Sequence, residues 1–324
     1  MLLLVTKDPY QGESSMKNKK MPSHHGAKEK IRGTYPNETM KLLIERASCR
    51  NFLHKKIPEK ILHFILKAGI HSPTGGNLQP YSIIKIENEE MKQKLAKMCY
   101  QEFIAKASVD LIFCIDWRRL ERWAQLEIAP FTATSSFEHF WISFQDTIIC
   151  AQNICTAADA MGLGSVYIGT VLGWFRELKK MFKLPHGVFP VVLLCIGYPK
   201  KRPTSRKKLG IDIVIHDETY HEIPDEELTE AFHDKYSHVK IEATDKRIRE
   251  ISKVCRKVHG EKFALRCVKK IKENGYINPA QRYFGLHYRA DWMTAGNSEF
   301  LKIVEEFGFG WFKKFRPPVR KGGR

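Results

Sequence analysis

Arg46, Ser48 and Arg50 stand at alternate positions in "ERASCRNF", where a helical pattern gives out. Alternate side chains of an extended segment point to one side. Two guanidinium groups and a hydroxyl on one side can grip a phosphate through charge-assisted hydrogen bonds. The competing reading is simple helix electrostatics, because an Arg at a helix C-terminus offsets the macrodipole. A second stretch, "HSPTGGNLQPYSIIKIE", runs a turn-forming cluster straight into a strand-like segment. A connector needs one Gly or Asn; Pro73, Gly75, Gly76 and Asn77 together suit close approach of a ligand to the main chain. "GLGSVYIG" invites comparison with a dinucleotide fingerprint, but that fingerprint follows a strand and opens a helix. Here Gly162 closes a helix and precedes a strand, so it reads as a C-cap. Asp116, Glu121 and Glu127 fall in one expected loop and are not positioned as an acid–base pair. No catalytic residue and no metal site is assigned.

The elements that must hold these groups follow from periodicity. "NETMKLLIERAS" reads as a capped helix, and "PEKILHFILKAGIHSP" as an amphipathic one with Ile61, Leu62, Ile65, Leu66 and Ala68 inward. Strands are expected at 81–87 and 109–115, separated by the helix "EEMKQKLAKMC". Residues 117–140 read as irregular and rich in aromatics, suiting a lid or pocket wall. The helix at 141–161 is apolar on nearly every face and so belongs in a core or a subunit interface. "SVYIG", the helix "FRELKKMF" and the strand "PVVLLCIGY" complete the core, and "IDIVIHD" reads as a short strand.

The chain has 324 residues, an ordinary apolar content and a formal charge of +18. No apolar run approaches the ~20 residues that span a bilayer, and "MLLLV" is too short for a signal-peptide core. The eight cysteines are scattered without a C-x-x-C pair, which fits small buried hydrophobes in a reducing cytoplasm. From Asp245 onward there are 20 Lys and Arg against 8 Asp and Glu, a net of +12. Ten aromatics from Tyr283 to Phe315 accompany them. That composition suits either a helical cap docked on the core with wet cations or a surface for single-stranded nucleic acid; the docked cap is the expectation, and nucleic acid is not expected as a partner. The division is residues 1–38 as a mobile tail (His24 and His25 incidental), 39–224 as the main domain and 225–324 as a basic helical extension.

Taken together, "ERASCRNF", "HSPTGGNLQPYSI", "DTIICAQNICTAADAMGLGSVYIG" and "FKLPHGVFPVVLLCIGYP" resemble, in order, the segments of the FMN-dependent nitroreductase family. The resemblance covers about 39–216 and neither terminus. It implies an α+β fold with a mixed central sheet wrapped by helices, in an intertwined homodimer holding two FMN sites across its interface. "IDIVIHD" is then a candidate edge strand for the partner's sheet. Arg46, Ser48 and Arg50 would hold the FMN phosphate, with main chain from Ala47. Pro73, Thr74, Gly75, Asn77 and Gln79 would lie against the flavin of the neighbouring subunit. Gly75 departs from the commoner Ser there, leaving a backbone contact only. Ile168 and Gly169 would lie by the isoalloxazine, and Arg206 or Lys207 would add a phosphate cation. The implied activity is ping-pong transfer of hydride from NADH or NADPH to an electron-poor acceptor such as a nitroaromatic or quinone, without an obligatory protein acid or base. Flavin destruction, reductive dehalogenation and a nucleic-acid-associated flavoprotein are the alternatives.

Overall fold

The computed structural model describes residues 35–315. Most of the expected N-terminal tail, with His24 and His25, lies outside them. The elements in chain order are α1 (Glu38–Glu45), α2 (Glu59–Ile70), β1 (Tyr81–Ile86), α3 (Glu89–Cys99), α4 (Phe103–Lys106), β2 (Val109–Asp116), α5 (Trp117–Leu126) and α6 (Phe137–Ala160). They continue with β3 (Gly164–Ile168), α7 (Phe175–Met181), β4 (Val188–Gly197), α8 (Ile211–Val214), α9 (Asp225–Lys235), α10 (Asp245–His259), α11 (Glu261–Asn274), α12 (Pro279–Arg282) and α13 (Asn297–Glu306).

The strands form one sheet in the order β1-β2-β4-β3. Every pairing is antiparallel. The resemblance implies a mixed sheet, whereas the sheet of the described residues is wholly antiparallel. β2 is buried at all of its positions because helices cover both faces. On one face, Val109, Leu111 and Phe113 pack with Cys150, Ala151 and Ile154 of α6. On the other, Ile112 and Cys114 join Leu95 of α3 with Phe189, Phe307 and Phe309. The ladder between β2 and β4 slips by one residue after Phe113. Pro190 sits at the slip and has no N–H to give the ladder, which favours a bulge there.

Three expectations need correction. Residues 117–140 are not irregular: Asp116 ends β2 and caps α5, its Oδ1 accepting the Arg119 N–H at 3.0 Å. Trp117, Leu120 and Ala124 then bury one face of α5, so the carboxylates thought to share a loop do not. The apolar helix begins earlier than expected, at Phe137, after the Ser136 side-chain cap. "IDIVIHD" opens on a helical turn, α8, rather than a strand. Its alternation finds no partner strand among the described residues, and an isolated strand leaves its backbone groups unpaired.

The region after 224 divides in two. Ile251, Ile271 and Ile277 form a small separate core for the α10–α11 hairpin. Val304, Phe307 and Phe309 belong to the main core instead. Phe307 also accepts the Gly187 N–H at 2.7 Å, and Gly310 donates to Thr134 at 3.0 Å. The docked cap is therefore the last stretch, while the hairpin carries most of the cations. All eight cysteines are free; six are buried, and Cys255 and Cys267 are half-buried.

Candidate functional site

α1 ends at Glu45 and the chain runs extended from Arg46 to Arg50 beside β3, with Cys49 N–H donating to Ser165 O at 2.9 Å. Cys49 is buried while Ser48 and Arg50 face solvent, the alternation expected of an extended segment. The approach is close enough that a Cβ on Gly164 would lie 2.6 Å from the Cys49 Cβ. Arg46 turns inward. Its Nε donates to Asp159 Oδ2 at 3.0 Å and its Nη2 to Ser165 Oγ at 3.2 Å. Part of its guanidinium is thus committed inside the protein, and Ser48 and Arg50 remain as the outward pair.

The turn at 73–79 is held by its own polar groups. Gly75 N–H donates to both carboxylate oxygens of Asp146 on α6, at 3.2 and 3.1 Å. Burial pushes the Asp146 carboxyl up, and the Gly75 N–H pulls it part of the way back. Thr74 Oγ1 accepts the Gln79 N–H at 3.1 Å, and the Gln79 side-chain amide donates to Ile70 O at 2.9 Å. Thr74, Gly75 and Gln79 therefore brace the turn rather than present those groups outward. Gly76 and Asn77 both take left-handed backbone, with φ of 59° and 55°, which Gly and Asn tolerate best. Pro73 and Asn77 are exposed.

At the far end of β3 the Ile168 side chain is buried, so only its main chain can serve a ligand. Gly169 is exposed, and a Cβ built there would meet nothing within 4 Å. Lys207 is drawn to Asp234 on α9, and Arg206 is exposed on the same loop.

Sequence reasoning missed several residues. Arg119 clamps the exit of the turn, donating from Nη2 to Gln79 O at 2.6 Å and Tyr81 O at 2.9 Å. An open cavity of about 220 Å³ lies behind Leu78, walled by Trp117, Trp123 and Phe131. Arg202 donates from Nη1 to Asp159 Oδ1 at 3.3 Å, the same carboxylate that holds Arg46. The Asp116 cap was the available signal for α5; nothing local marked Arg202.

Within one chain the 73–79 turn and the Arg46 segment do not meet. Asp146 anchors the turn and Asp159 anchors Arg46, thirteen residues apart on α6, or about 20 Å along the axis. The Arg46 cluster and Gly169, by contrast, lie along the single strand β3. Residues 43–198 match the model of the Nitroreductase family. The oxygen-insensitive NADPH nitroreductase of Salmonella typhimurium is 30% identical over 183 residues, covering 56% of this chain and 74% of that protein. The FMN reductase [NAD(P)H] of Bacillus subtilis is 31% identical over 186 residues, covering 57% and 75%. The chain belongs to the nitroreductase family. A Bacteroides fragilis crystal structure described as a candidate oxidoreductase superposes with TM-score 0.69 at 25% identity, covering 83% of this chain and 99% of its own. That coverage exceeds residues 39–224, so the likeness extends beyond the segment matched by motif.

The residues present fit FMN at two points: the outward Arg50 and Ser48, with Arg46 behind them, beside β3 for a phosphate, and unobstructed main chain at Gly169 for a flat ring.

Proposed function

We propose that the chain is an FMN-dependent oxidoreductase that carries electrons from NADH or NADPH to a small electron-poor acceptor. The observation that carries this is the order of groups along β3. Arg46, Ser48 and Arg50 cluster at its Ser165 side, and open backbone lies at its Gly169 end. That order matches the phosphate and ring of one flavin. Bound FMN would supply the redox chemistry, accepting two electrons from the nicotinamide and passing them on. The chain's own residues would bind and orient: Ser48 and Arg50 at the phosphate, Gly169 main chain beneath the ring, the Asn77 amide at the ring edge. Family membership and relatives named for NAD(P)H-dependent reduction support this reading; it names no particular acceptor. Purified protein is expected to carry FMN and to lose its yellow colour anaerobically on addition of NADH or NADPH. A flavin that stays oxidised with both donors would sink the reductase reading.

The dimer belongs to the same proposal. About 20 Å of α6 separates the Asn77 turn from the Arg46 cluster, so one flavin can use both only if two copies contribute. α6 also leaves the contacting rings of Phe137, Trp141 and Phe144 exposed, and α2 leaves Phe64 and Ile70 exposed; exposed apolar surface of that kind supports an interface. Ala151 is not part of it, being fully buried against the chain's own sheet. Trp141, 52% exposed, is the informative position. Trp141→Glu is expected to give folded monomer with little flavin by light scattering and absorbance. A flavin-loaded dimer from that variant would remove this face from the interface. Among the described residues no helix is long and apolar enough to cross a membrane, and eight free thiols suit the cytoplasm we propose.

A further inference from the structure

Beyond β4 the chain runs antiparallel beside the phosphate-facing segment. Leu53 N–H donates to Tyr198 O at 2.8 Å, Lys200 N–H donates to Asn51 O at 3.0 Å, and Phe52 bridges Pro199. This pairing delivers Arg202 to the start of that segment. There its Nη1 meets Asp159 Oδ1 at 3.3 Å, while Arg46 Nε holds Asp159 Oδ2 at 3.0 Å. The Asp159 side chain is 4% exposed, against 20% for Arg46 and 52% for Arg202. The carboxylate therefore sits behind two guanidinium groups and fixes each through a separate oxygen. A guanidinium has five N–H donors. Arg202 spends Nη1 on Asp159, and its other nitrogens remain for a ligand. Burial pushes the Cys49 thiol up, while Arg202 and Arg50 both pull it down, so both cations lie within electrostatic reach of that one side chain. Three cations (Arg46, Arg50, Arg202) against Asp159 leave a local charge of +2, the complement of a phosphate monoester carrying about −1.5 to −2 at neutral pH.

We propose that Arg202 is a phosphate-binding residue that makes this site select flavins bearing a terminal phosphate, in the place expected of Arg206 or Lys207. The inference rests on the FMN reading above. Lys207 is engaged by Asp234, and among the described residues no hydrogen bond or ion pair ties Arg206 to the Arg46 segment. Arg202 alone of the three reaches it.

The test compares FMN with riboflavin, which has the same ring and no phosphate. Dissociation constants are measured by flavin fluorescence quenching on the full-length apoprotein, for the parent, Arg202→Ala, Arg202→Lys and Lys207→Ala. Loss of a charge-assisted contact is expected to weaken FMN roughly 10- to 100-fold in Arg202→Ala. Riboflavin binding should stay within about twofold of the parent. Arg202→Lys should recover part of the loss, and Lys207→Ala should match the parent. If FMN and riboflavin weaken together, or neither changes, Arg202 does not read the phosphate. A parent that binds neither flavin overturns both this inference and the reading beneath it.

Discussion

Phe307→Ala is expected to destabilise the protein by about 3–5 kcal/mol, the usual range for emptying a Phe site in a packed core. Phe307 is fully buried although it lies only a few residues before the end of the described chain. Its ring meets Phe189 edge-on at 5.1 Å, and Phe189 stacks on Phe175 at 5.0 Å. Phe309 meets Phe140 at 5.5 Å, again edge to face. Such arrangements add to simple area burial. The cluster ties α13, α7, β4 and the start of α6 together, so the cavity has no easy way to collapse. Thermal unfolding should fall by roughly 10 °C for a chain of this size. The ion pairs over the same site are the contrast. Arg176 reaches Glu299 at 2.7 Å and Glu306 at 2.6 Å, but all three side chains are well exposed, and exposed pairs contribute at most about 1 kcal/mol. Glu299→Ala should therefore barely move the melting temperature. If Phe307→Ala shifted it no further than Glu299→Ala, the C-terminal stretch would not be part of the core.

That cap shows where the sequence was informative and where it was not. The recurrence of apolar residues in α2, α10 and α11 and the β-branched runs of β1, β2 and β4 reflect local periodicity, and each forms the element its pattern implies. α5 was missed because "WRRLERWAQL" spends its apolar positions on two Trp residues, one buried and one 55% exposed, which blurs the stripe. For α6 the sequence could not say which apolar side meets what. Its small residues, Cys150, Ala151, Cys155 and Ala158, allow the sheet to approach, while Phe137, Trp141 and Phe144 turn away. The alternation of "IDIVIHD" implies a strand, but the segment finds no neighbouring strand among the described residues and opens on a helical turn. At the site, the types and spacing of Arg46, Ser48 and Arg50 were legible because they lie in one segment. Arg202 was not, because its place depends on the chain after β4 lying beside residues 51–53. The turn was legible as unusual, yet only the fold shows that Thr74, Gly75 and Gln79 brace it while Asn77 is left exposed.

The second large effect concerns a buried group with no part in the site. Asp110 lies in β2, opposite Ile86 on one side and Cys195 on the other, with no solvent exposure. Its carboxylate oxygens find no well-formed hydrogen bond among the described residues, the Cys195 thiol opposite being a weak donor at best. Lys92 is nearby, but its ammonium is committed to Ala107 O. Burial pushes the Asp110 carboxyl up to about 7, with Cys195 and Lys92 offsetting only part of the rise. The folded protein thus holds a proton that the unfolded chain releases near its ordinary value of 3.8. Stability from this group is complete below about pH 4 and is lost as pH rises through about 7. Three units of separation correspond to a total loss of about 4 kcal/mol. Asp110→Asn keeps the shape and removes the titration. Relative to the parent, the variant should gain about 2–3 kcal/mol more at pH 8 than at pH 5, read from denaturant midpoints. The Asn amide brings its own unpaired donors, a cost that is the same at both pH values. The change of the difference with pH therefore isolates the carboxyl. A parent–variant difference that stays constant from pH 5 to pH 8 would mean that Asp110 is already ionised and compensated in the folded protein.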